Sequence, residues 1–104
     1  MEVDKSSILK YLKEIKEELL VEGIEKIGLF GSFARNEASV YSDIDIAIQK
    51  NSNYLDVYTA YDYFNEVSKI KSLVRKRFHR NSDVFDLDSN SSMKDEILKD
   101  VLFV

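Results

Sequence analysis

Asp43-Ile44-Asp45-Ile46-Ala47-Ile48 places two carboxylates and three isoleucines at alternate positions of one short run. Alternation of this kind predicts a β-strand, whose side chains at i and i+2 point the same way. Asp43 and Asp45 therefore project from one face, and Ile44, Ile46 and Ile48 from the other. Like charges held side by side on a strand repel each other. A cation relieves that repulsion, and a hard ion such as Mg²⁺ prefers oxygen ligands. Upstream, across ten intervening residues, Gly31-Ser32 is a small-residue turn able to approach phosphate. Together the two features describe a site for a nucleoside triphosphate.

The chain has 104 residues, enough for one compact domain over 1–104. Hydrophobic residues make up 44% and charged residues 33%, which supports a real core and argues against disorder. The net charge is −4, with no basic block longer than Arg75-Lys76-Arg77, so no direct nucleic-acid contact is expected. Cysteine is absent, which excludes disulfides, thiolate zinc sites and a cysteine nucleophile. Met1 to Lys5 is charged rather than apolar, and no window is apolar enough to span a bilayer. The expectation is a soluble cytoplasmic protein with no membrane association.

Ile8, Leu12, Ile15 and Leu19 recur at helical spacing; Ser6 or Ser7 can cap this helix and Gly23 can end it. Ile24 to Phe30 reads as a strand, Phe33 to Ser42 as a helical turn plus loop, and Ile44 to Ile48 as a second strand. From Tyr54 to about His79, Val57, Tyr61, Phe64, Val67, Ile70, Val74 and Phe78 predict one long helix. Val84, Phe85 and Leu87 form a third strand, Met93 to Leu98 a short helix, and Val101 to Val104 a terminal strand or tail. The pattern is an α/β (α+β) fold, a small mixed sheet flanked by helices.

Transfer of a nucleotide needs donors for the outgoing pyrophosphate, ligands for metal ions and a group to take the proton of the attacking hydroxyl. Gly31 and Ser32 suit the phosphates, and the planar fork of Arg35 suits a phosphate oxygen. Asp43 and Asp45 suit the metal. A third carboxylate should come from a neighbouring strand, where the candidates are Asp83, Asp86 and Asp88. Periodicity does not choose among them.

Gly31-Ser32-Phe33-Ala34-Arg35, followed by Ser42-Asp43-Ile44-Asp45-Ile46-Ala47-Ile48, resembles the minimal nucleotidyltransferase family of the DNA polymerase β superfamily. Ser82-Asp83-Val84-Phe85-Asp86-Leu87 is similar to that family's third acidic strand, and in this register Asp83 is the third catalytic carboxylate. The resemblance spans essentially the whole chain and implies a polymerase-β-like fold. Asn36 stands where the family often has glycine, and Ser82 where it usually has valine. Stand-alone chains of this size resemble the antitoxin half of HEPN–MNT toxin–antitoxin pairs. That resemblance implies Mg²⁺-dependent transfer of AMP from ATP to a tyrosine of a partner HEPN ribonuclease, in a hetero-oligomer with that toxin. The alternatives are a non-catalytic antitoxin that neutralises by binding, and a nucleotidyltransferase acting on small molecules.

The remaining features read as structure. His79, after a basic run, is a cation at a helix C-terminus, and Arg75, Lys76, Arg77 and Arg80 form a solvated helix end. Tyr54, Tyr58 and Tyr61 share a helical face suited to core or partner packing, and Asp86 is a strand-edge or loop-facing charge.

Overall fold

The structure is a computed structural model that describes residues 3–104. Helix α1 (Lys5–Val21) leads into β1 (Ile24–Phe30), a one-turn α2 (Gly31–Ala34) and β2 (Ile44–Lys50). A one-turn α3 (Tyr54–Val57) and the long α4 (Ala60–Phe78) precede β3 (Ser82–Asp86). The chain closes with α5 (Lys94–Asp100) and β4 (Leu102–Phe103). The strands form one mixed sheet in the order β3-β2-β1-β4, with β1 antiparallel to both β2 and β4, and β2 parallel to β3. Parallel neighbours need a long crossover, and α4 supplies it. The expected mixed sheet with flanking helices is what forms.

The main core lies on one face of the sheet. Ile8, Leu12, Ile15 and Leu19 of α1 and Ile70, Val74 and Phe78 of α4 pack against Ile44, Ile46 and Ile48. Ile24, Ile27 and Leu29 of β1 join them, although Ile24 and Ile27 differ by three. A register irregularity between Ile24 and Lys26 absorbs the odd spacing, as β-bulges do. On the opposite face Ala47, Leu87 and Ile97 make a smaller cluster with Phe30, Phe85 and Val101. Strand β2 is therefore buried on both faces at its centre, and only its N-terminal end alternates.

Two local expectations are corrected. The cap of α1 is Asp4, whose carboxylate accepts from the Ser7 amide while the Ser7 hydroxyl accepts from the Asp4 amide. The single helix expected from Tyr54 to His79 is broken at Tyr58-Thr59, because Thr59 and Asp62 form a second reciprocal cap. That cap resets the helical phase. Tyr54 is buried against Tyr58 and Tyr63, while Val57, Tyr61 and Phe64 stay exposed rather than entering the core. His79 closes α4 in the left-handed conformation.

The serine of β3 has a visible consequence, for the Ser82 hydroxyl is buried with no hydrogen-bond partner. Such a group is destabilising until an apolar side chain replaces it. Ser82→Val is expected to raise the urea midpoint, and Ile46→Ala to cost about 2–5 kcal/mol, both read from equilibrium denaturation.

Candidate active site

Parity along β2 decides where the acids go. Ile44, Ile46 and Ile48 fill the main core, so Asp45 shares the opposite face with Ala47. In the parallel ladder Asp45 stands directly beside Asp83, one strand away. Asp43 is exposed just ahead of β2, where the Ile44 amide bonds the Asn81 carbonyl at 3.0 Å and carries the ladder outward. The N-terminal ends of β2 and β3 thus bring the three acids to one edge.

Their mutual repulsion is visible in Asp45. Its carboxyl is pushed up to about 6, first by burial and then by the charges of Asp83 and Asp43. Arg35 works in the opposite direction and Asp100 adds to the rise. Among the described residues no three acidic, histidine or cysteine side chains close into a ready metal cage. The donor set still fits a hard cation in its chemistry: carboxylate oxygens, one of them protonated more readily because of burial and its acidic neighbours.

The Gly31-Ser32 turn is built against Asp45. Phe30 pairs with Asp45 across β1 and β2, so Gly31 follows at close quarters. Its backbone has φ +76°, and a methyl group there would collide with the Asp45 carboxylate. Only glycine meets both demands. The turn continues with the Arg35 amide bonding the Gly31 carbonyl at 3.1 Å and the Glu37 amide bonding that of Ser32 at 2.8 Å. Asn36 takes φ +58°, so an asparagine supplies the left-handed backbone that glycine often supplies in the resembling family. Ser32 is half-buried beside Gly31.

Arg35 is brought to the same end but is already engaged. Its Nε donates to Glu37 at 3.0 Å and its Nη1 to Asp100 at 2.7 Å. Asp86 and Asp88, the other candidates for the third carboxylate, are drawn elsewhere. Lys50 Nζ lies 2.8 Å from Asp86 and 3.3 Å from Asp88, at the far end of β2 from Asp43. Asp86 is thus the strand-edge charge expected. Sequence reasoning missed Lys50 as the clamp on that end, and it missed Asp100 altogether. No local pattern could have found Asp100, which is 65 residues from Arg35.

Comparison with known proteins follows this geometry. The "Polymerase beta, Nucleotidyltransferase" family matches residues 10–104. A protein of Methanocaldococcus jannaschii described as a "putative protein adenylyltransferase" is 36% identical over 69 residues, covering 64% of this chain and 77% of its own. A solved structure described as a "putative minimal nucleotidyltransferase" superposes with TM-score 0.72 at 17% identity, covering 97% of this chain and 96% of the other. A toxin–antitoxin crystal structure with AMP-PNP gives TM-score 0.59 at 20% identity, covering 97% and 72%. The fold is that of nucleotidyltransferases. This chain belongs to the polymerase beta nucleotidyltransferase family.

The raised Asp45 carboxyl has a signed consequence. Unfolded, it loses its proton near 3.8; folded, only near 6. The folded state binds the extra proton between those values, so this group lowers stability as pH rises through that window. Asp45→Asn is expected to raise Tm above about pH 6 in metal-free buffer and to add far less near pH 4, by thermal unfolding across pH.

Proposed function

We propose that this chain is a Mg²⁺-dependent adenylyltransferase that moves AMP from ATP onto a tyrosine hydroxyl of a partner HEPN ribonuclease toxin and so neutralises it. The supporting observation is the direct alignment of Asp45 with Asp83 beside Gly31, whose missing side chain leaves room for the Asp45 carboxylate. Relatives described as protein adenylyltransferases and fold neighbours in toxin–antitoxin crystal structures support the substrate and partner classes. Among the described residues no helix is long and apolar enough to cross a membrane.

In this reading Gly31 and Ser32 hold the β- and γ-phosphates, through a backbone free of side-chain bulk and through a hydroxyl. Arg35 meets a phosphate oxygen with its planar fork. Asp43, Asp45 and Asp83 are the carboxylates that would hold Mg²⁺. Bound there, the ion offsets charge building on the phosphate oxygens. The acceptor oxygen attacks the α-phosphorus, the bond to the bridging oxygen of pyrophosphate breaks, and the phenolic proton passes to Asp83. Asp45 would hold a cation only in its deprotonated form, and burial with its acidic neighbours raises the pH at which that form is reached.

The test is the intact mass of the toxin after incubation with this chain, ATP and Mg²⁺. The expected result is a gain of AMP that maps to tyrosine. Asp43→Asn or Asp45→Asn is expected to reduce the transfer to background while leaving the complex intact. Protection that survives both substitutions together would mean that the chain neutralises by binding alone.

A further inference from the structure

The Arg35–Asp100 contact joins the end of α2 to the last residue of α5, and nothing in local structure calls for it. A carboxylate at a helix C-terminus opposes the helix dipole. An exposed ion pair of this kind also contributes little to stability. Yet the contact is short, at 2.7 Å, and the Asp100 side chain is only 24% exposed. Arg35 and Asp100 both line a cleft of about 580 Å³ that opens on Phe30 and Gly31 and is floored by Ile97.

The guanidinium is held at two of its three nitrogens. Nε goes to Glu37 and Nη1 to Asp100, while among the described residues no hydrogen bond engages Nη2. Glu37 is itself anchored, its amide bonded to the Ser32 carbonyl. A free arginine side chain loses much rotamer entropy when it binds a phosphate, and a prefixed one has already lost it.

We propose, on the reading of Gly31 and Ser32 as the phosphate turn, that Asp100 is a positioning residue for Arg35. It presets the guanidinium so that the unengaged N–H groups meet the polyphosphate of the nucleotide. Asp100 acts on the nucleotide through Arg35, apart from the small rise that its charge adds at Asp45. The opposite arrangement, in which the carboxylate competes with phosphate for Arg35, reverses the sign of every effect below.

The experiment titrates AMP-PNP and, separately, AMP into the purified chain with Mg²⁺, by calorimetry. Asp100→Asn is expected to weaken AMP-PNP about tenfold, the loss of one charge-assisted contact, and to leave AMP unchanged. Asp100→Glu is expected to restore binding, which a merely misfolded variant would not do. In an Arg35→Ala background, Asp100→Asn is expected to bring no further loss, because there is no fork left to position. Equal or tighter AMP-PNP binding by Asp100→Asn, or the same loss without Arg35, overturns the proposal and leaves the phosphate turn standing. Failure of the folded wild-type chain to bind AMP-PNP at all overturns the phosphate-turn reading, and this proposal with it.

Discussion

The parallel pairing of β2 with β3 is the constraint on which the molecule turns. Parallel strands cannot be joined by a tight turn, so α4 must run the length of the sheet before β3 begins. That run covers the main core with Ile70, Val74 and Phe78. It also starts β3 level with β2, which puts Ser82 beside Ile44 and Asp83 beside Asp45. One ladder thereby closes the core on one face and assembles an acidic edge on the other.

The acidic edge works against the fold that carries it. Burial and two neighbouring acids raise the Asp45 carboxyl, and the cation nearest in effect, Arg35, is shared with Glu37 and Asp100. Elsewhere acidic charge is neutralised with care. Lys50 lies between Asp86 and Asp88, and Lys69 between Glu18 and Glu22. Charge left unrelieved at one end of two strands contributes nothing to folding, and such a cluster is a candidate place for binding.

Much of this was legible in the sequence, because the period of two survives wherever a strand is flanked by polar ends. Asp43, Asp45 and the isoleucines between them declare both faces of β2 without help. The family resemblance supplied Asp83, which periodicity left level with Asp86 and Asp88; the ladder and Lys50 separate these three in space. The break before α4 was not legible from hydrophobic spacing, since Val57, Tyr61 and Phe64 continue a helical count that Thr59 interrupts. Its signal was the Thr59–Asp62 capping pair, a hydrogen-bond pattern outvoted by apolar residues that stay in solvent. Asp100 had no signal at all, for it matters only through a contact made late in the chain.

Because Asp45 and Asp83 come from strands separated by the whole of α4, an incomplete chain holds no such pair. During synthesis the Gly31 turn and Asp45 emerge first, and chemistry that depends on both strands must await the segment that brings Asp83. Any ligand gripped by that pair recognises only molecules in which β3 has paired with β2, and drains the unfolded population by mass action.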